Sequence, residues 1–198
     1  MTDITLNVLW AALLGYGFGS IPFGLLLTRA AGLGDVRSIG SGSIGATNVL
    51  RTGRKGLAAA TVLLDAVKGV LAVLIASRFL VGVEGVPAVA AVLGHCFPVW
   101  LRFRGGKGFA TAAGVCLALA WPVMLFCAVI WGTVLMATRI SSVSSLAAVV
   151  CAPVIAWLLS YYSVTLPLMA IAVIVLIQHR ANIGRLLRGE EPKVGAKS

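Results

Sequence analysis

The chain has 198 residues, 60% of them hydrophobic and only 11% charged, with a mean hydropathy of +1.02. That is more apolar surface than one soluble core can hide, so lipid is the expected solvent and a water-soluble fold is set aside. The formal charge of +10 reads as the basic excess of membrane-protein loops rather than as a nucleic-acid surface, so no nucleic-acid partner is expected.

In chain order, apolar runs occupy Ile4–Thr28, Leu57–Phe79, Val86–Leu101, Phe109–Ala120, Trp121–Ala137, Val143–Leu159 and Val164–Gln178. They predict an all-α membrane protein, a seven-span transmembrane helical bundle making one domain over residues 1–198. Some runs are shorter than the ~20 residues of a straight crossing. Asp3 and no Lys or Arg precedes the first run, unlike the basic start of a cleavable signal peptide, so it is read as a retained span. The division at Trp121-Pro122 is made because Phe109–Ala137 would be one run of 29 residues, and the proline offers a break.

Charge parity supports seven spans. Segments Arg29–Gly56, Arg102–Gly108, Thr138–Ser142 and His179–Ser198 then share one side, with Arg29, Arg37, Arg51, Arg54, Lys55, Arg102, Arg104, Lys107, Arg139, Arg180, Arg185, Arg188, Lys193 and Lys197. Only Arg78 is left for the opposite loops, and Lys68 lies inside a span. The positive-inside rule then puts the N-terminus outside and the C-terminus in the cytoplasm. Six spans would divide the basic loops between the two sides.

Three of these loops have the composition of anion sites. The first, Gly40-Ser41-Gly42-Ser43-Ile44-Gly45-Ala46-Thr47-Asn48-Val49-Leu50-Arg51, satisfies G-x-G-x-x-G formally, but no strand precedes it and a dinucleotide fold is excluded. Its glycines can turn backbone N–H groups toward an anion, and Arg51 can add a bidentate fork; the competing reading is a flexible linker. The second, Phe103-Arg104-Gly105-Gly106-Lys107-Gly108-Phe109-Ala110-Thr111 after Gly94-His95-Cys96-Phe97-Pro98, lacks nucleotide P-loop spacing, so ATP and GTP are not inferred. Gly105, Gly106 and Gly108 around Lys107 at a helix start still make a phosphate cradle, and flanking charge alone does not explain three glycines among four residues. The third, His179-Arg180-Ala181-Asn182-Ile183-Gly184-Arg185-Leu186-Leu187-Arg188-Gly189-Glu190, sets His179 and Asn182 three apart, facing one ligand if helical. Its arginines are equally well read as those of an interfacial helix on lipid headgroups.

Asp65 and Lys68, three apart inside the second run, are read as an internal ion pair. Cys96, Cys116, Cys127 and Cys151 sit singly among apolar residues and are read as core thiols. Two histidines and six acids assemble no convincing metal cluster or carboxylate pair, so no cofactor and no metal is expected.

Together the three loops resemble one family, the bacterial membrane glycerol-3-phosphate acyltransferases that use acyl phosphate. Gly19-Ser20-Ile21-Pro22-Phe23-Gly24 with Ser41 to Arg51 resembles its first motif, Gly94 to Thr111 its second, and His179 to Glu190 its third. Ser43 departs from the family's usual Asn and is given no role; Arg54 stands where a neutral residue is usual. The resemblance implies transfer of a fatty acyl group from acyl phosphate to the sn-1 hydroxyl of glycerol 3-phosphate, giving lysophosphatidic acid and phosphate at the cytoplasmic side of the bacterial inner membrane. It also implies that Ser41, Gly42, Thr47, Asn48, Gly105, Gly106, Lys107 and Gly108 hold phosphate, and that Arg51, Lys107, Ser142, His179 and Asn182 surround glycerol 3-phosphate. Ser141, Ser144 and Ser145 compete with Ser142, and Glu190 is read as a structural tie between the tail and a basic loop. A substrate phosphate serves as the base by this resemblance, while His179 has the unperturbed pKa of a general base. The partners implied are the two substrates and membrane lipid, and a monomer is compatible. The rival class is an organic-phosphate transporter, disfavoured because the ligand-type residues lie on one side and no inverted repeat is visible.

Overall fold

The computed structural model describes residues 4–80 and 82–195; Asp3 and Lys197, used in the charge argument, lie outside them. Every regular element among the described residues is helical, and the chain forms two compact units that divide between Leu119 and Ala120.

The first unit opens with α1 (Ile4–Gly19) and α2 (Phe23–Ala30). The sequence predicts one helix over this run, but it is interrupted at Ser20–Pro22, because Pro22 lacks an N–H and disfavours helical geometry in the residue before it. Then come α3 (Ala46–Leu50), α4 (Lys55–Phe79), α5 (Gly85–Cys96) and α6 (Phe109–Leu119). The third apolar run, expected to be helical to Leu101, ends as a helix at Cys96; Pro98 follows, and Val99–Leu101 form a separate 3-10 turn.

Glycines set the helix pairing of this unit. A methyl group at Gly15 would lie 2.5 Å from the Pro87 carbonyl oxygen, and one at Gly19 would collide with the Ala91 backbone, so α1 and α5 meet backbone to backbone. α4 and α6 do the same, Gly69 against the Thr111 carbonyl and Gly114 against Ala66. Two short helices are thereby each locked to a long partner.

The second unit contains α7 (Trp121–Thr138), α8 (Ser141–Leu158), α9 (Tyr162–Gln178) and α10 (Arg180–Leu187). The break predicted before Pro122 is present: Ala120 leaves helical geometry at φ −157°, and Pro122 occupies the first turn of α7. α8 packs against both α7 and α9, and α10 departs from α9 at 61° across His179.

Among the described residues four stretches are long and apolar enough to cross a membrane: Ile4–Ala30, Lys55–Phe79, Trp121–Thr138 and Ser141–Leu158; α9 and α10, bent at 61°, add a fifth only when taken together as one span. α5 and α6 are apolar but shorter.

Candidate active site

In the first loop Asn48, fully buried in the middle of α3, is the organising side chain. Its amide nitrogen donates to the carbonyls of Val36 (2.7 Å), Ser43 (2.8 Å) and Ile39 (3.2 Å), while its oxygen accepts from the Ser41 N–H (3.1 Å) and from Arg51 (3.4 Å). Every polar atom of Asn48 is thus engaged within the loop. Gly40 has φ +53°, and a side chain there would collide with the Arg51 guanidinium and the Asn48 amide. The Ser43 hydroxyl accepts from the Gly45 N–H at 3.2 Å, the turn contact that an Asn side chain also makes. Ser41, Gly42, Thr47 and Arg51 face solvent.

Arg51 differs in its charge environment from Arg29 and Arg37. Asp35 accepts from Arg37 at 2.6 Å and from Arg29 at 3.1 Å. The Arg37 guanidinium holds the Asp35 carboxyl well below the usual carboxylate range, and the same pairing raises Arg37. Those two cations share one carboxylate. Among the described residues no carboxylate sits on Arg51, whose fork therefore remains suited to an anion.

The second loop folds back on the end of α5: the Gly105 N–H donates to the Cys96 carbonyl (3.2 Å) and the Gly106 N–H to the His95 carbonyl (3.0 Å). Gly106 lies against the His95 imidazole so closely that a methyl group there would collide with Nε2. Gly108, at φ +85°, accepts from the Ala112 N–H (2.8 Å) and starts α6, which sets half-buried Lys107 just ahead of a helix N-terminus. Behind this loop the Asp65–Lys68 pair expected from the sequence is present at 2.6 Å, fully buried, and it includes a third member, since Lys68 Nζ donates to His95 Nδ1 at 2.9 Å.

In the second unit Ser142, Asn182 and Arg185 converge on Glu191. Its Oε1 accepts from the Ser142 hydroxyl (2.7 Å) and the Asn182 amide (2.5 Å), and its Oε2 accepts from Arg185 (2.7 Å). Burial opposes the charge on Glu191, but the three donors outweigh it and hold the carboxyl below its ordinary value. The tie expected of Glu190 is therefore made by its neighbour; Glu190 is exposed and pairs locally with Arg188 at 2.7 Å. The tail is pinned again where the Val194 N–H donates to the Arg139 carbonyl at 2.7 Å. Among the competing serines, Ser144 bonds the Ile140 carbonyl and Ser145 accepts from Trp131, so Ser142 alone joins the cluster. Asn182 keeps a buried side-chain oxygen with no hydrogen-bond partner. His179 is buried at the α9–α10 bend, where its ring Nδ1 lies 2.8 Å from the Val175 carbonyl; that carbonyl can only accept, so Nδ1 carries a proton.

Residues 9–189 match the profile of the glycerol-3-phosphate acyltransferase family. The chain belongs to that family. Relatives named glycerol-3-phosphate acyltransferase include one from Erythrobacter litoralis, 60% identical over 98% of this chain and 99% of that one, and one from Mesorhizobium japonicum, 56% identical over 98% and 100%. The fold matches crystal structures of PlsY (YgiH), an integral membrane glycerol 3-phosphate acyltransferase. Its glycerol 3-phosphate form gives a TM-score of 0.89 at 36% identity, covering 95% of this chain and 96% of that one. Its lysophosphatidic acid form gives 0.87 at 35%, covering 95% of each. Within this family member, sequence reasoning missed Glu191 and the contact of His95 with Lys68. An acidic doublet at 190–191 signals the first without saying which carboxylate is buried, and nothing local signals the second.

Proposed function

We propose that this integral membrane acyltransferase moves a fatty acyl group from acyl phosphate to the sn-1 hydroxyl of glycerol 3-phosphate, giving lysophosphatidic acid and inorganic phosphate. The observation that carries the reading is the family match, which runs through all three glycine-rich loops. In the reaction the hydroxyl oxygen bonds to the acyl carbon, the bond from that carbon to the phosphate oxygen breaks, and the hydroxyl proton ends on a phosphate. A mixed anhydride is already activated, so the protein has to align the hydroxyl and neutralise charge.

Ser41, Gly42 and Thr47, with the Gly105–Gly108 loop that carries Lys107, hold the donor phosphate; the Gly105 and Gly106 N–H groups keep that loop on α5, and Asn48 shapes the first loop around the phosphate. Arg51, Lys107, Ser142, His179 and Asn182 surround glycerol 3-phosphate. The partnerless Asn182 oxygen supports this, since a glycerol hydroxyl is the donor it lacks. A substrate phosphate takes the proton. His179→Gln then retains saturated turnover near wild type; loss of turnover at unchanged substrate affinity would instead assign the base to His179.

Both units serve one catalytic domain. The α1–α2 run, α4, α5, α6, α7, α8 and α9 each cross the bacterial inner membrane, with the N-terminus outside and the loops and C-terminus in the cytoplasm, a topology supported by the placement of the basic residues. The test is conversion of radiolabelled glycerol 3-phosphate to a chloroform-extractable lipid by purified protein with palmitoyl phosphate as sole donor. Activity that Arg51→Ala and Lys107→Ala abolish is the expected result. Product from acyl-CoA or acyl-carrier protein but not from palmitoyl phosphate would overturn the donor assignment.

A further inference from the structure

Lys68 lies at the middle of α4, yet its ammonium contacts three separate places. Nζ pairs with Asp65 at 2.6 Å on its own helix, donates to the Ile21 carbonyl at 2.8 Å in the break between α1 and α2, and donates to His95 Nδ1 at 2.9 Å on α5. The Phe23 ring, the first residue of α2, lies 5.8 Å from the same nitrogen. An ammonium has no lone pair, so in its contact with His95 the ring nitrogen Nδ1 must accept. The His95 proton therefore sits on Nε2, the atom that faces Gly106. Lys68 thus fixes the imidazole, the imidazole stands against Gly106, and the neighbouring Gly105 and Gly106 N–H groups hold the loop on the end of α5. Burying an ion pair inside an apolar span gives no stability that well-packed apolar residues would not exceed. What it does supply is a fixed geometry joining the α1–α2 break to the second glycine loop.

We propose that Lys68 is a positioning residue for acyl transfer: through His95 it sets the Gly105–Gly108 loop in the geometry that receives the donor phosphate. The inference rests on the acyl-phosphate reading above. Removing Lys68 alone leaves the Asp65 carboxylate buried and unpaired, so Asp65→Asn/Lys68→Met, neutral at both positions and close in volume, is the informative variant beside Lys68→Met.

Full-length purified proteins are compared by melting temperature and by KM for palmitoyl phosphate and for glycerol 3-phosphate separately. The double variant is expected to stay folded, to raise KM for palmitoyl phosphate about tenfold and to leave KM for glycerol 3-phosphate within about twofold. Gly106→Ala, which drives a methyl group into the imidazole, is expected to impair the wild-type background strongly and the Asp65→Asn/Lys68→Met background far less, because the freed ring can move aside. Unchanged kinetics in the double variant, equal losses on both substrates, or a Gly106→Ala effect of the same size in both backgrounds would each overturn the proposal. Wild-type protein that turns over no palmitoyl phosphate would sink the donor reading itself, an outcome distinct from wild-type activity with unsplit KM values.

Discussion

Replacing Glu191 by Ala removes the acceptor shared by Ser142, Asn182 and Arg185. Its side chain is 6% exposed, so the first two donors lose a charged partner in a largely dry site, whereas the Arg185 side chain, 31% exposed, can rehydrate. Hydrogen bonds to a charged group contribute ~1.5–3 kcal/mol each, so two buried ones set an upper range of ~3–6 kcal/mol. Water entering the vacated space recovers part of this, and a net loss of about 3 kcal/mol is expected. At roughly 2–4 °C per kcal/mol for a chain of this size, the melting temperature falls by about 6–12 °C. Freed of their common partner, Ser142 and Asn182 lose alignment, so KM for glycerol 3-phosphate rises as well. Because Glu191 has its carboxyl below the ordinary value when folded, its contribution is complete above the unfolded carboxylate pKa and is lost as pH falls through the lower folded value. Glu191→Gln should flatten that acid-side fall of the melting curve. The assay is thermal melting in detergent from neutral to acid pH, beside substrate kinetics. A Glu191→Ala protein with wild-type melting and wild-type KM for glycerol 3-phosphate would refute the reasoning.

Asn48→Ala strands three carbonyls and the Ser41 N–H around a buried position, and should cost about 2–4 kcal/mol with loss of acyl transfer at unchanged expression. Ser43→Asn should be neutral within about 0.5 kcal/mol, as read by melting, because the amide oxygen can take over the Gly45 N–H. Gly19→Val, which forces a side chain into the Ala91 backbone, should separate α1 from α5 and cost more than about 3 kcal/mol, seen as loss of monodisperse protein after extraction.

Helix positions were legible because apolar runs and prolines act locally. The break at Ala120 follows from Pro122 and from run length, and the ion pair at Asp65 and Lys68 follows from three-residue spacing inside an apolar span. What could not be read depends on contacts between distant segments. Pro22 stands in plain view, but the interrupted first run still has the composition of one helix. The role of Asn48 depends on carbonyls at positions 36, 39 and 43 that no spacing rule connects to it. Glu190 and Glu191 are chemically alike, and only the path of the chain beyond α10 decides which one meets Ser142, 49 residues upstream.

The short helices α5 and α6 bear on where the chemistry takes place in a bilayer. With 12 and 11 residues they rise about 18 and 16 Å, against a hydrocarbon slab of ~30 Å. Glu84 is exposed immediately before α5, and on the topology proposed above the shortfall falls at the other end, where residues 97–108 connect the two helices. On that topology the connection would lie below the level of the headgroups. Backbone at such depth has to find its own hydrogen-bond partners, and the Gly105 and Gly106 N–H groups find them on α5. On the donor reading proposed above, the bilayer is thinned at this point, where a charged donor head and its hydrocarbon tail would reach the same loop from their own preferred media.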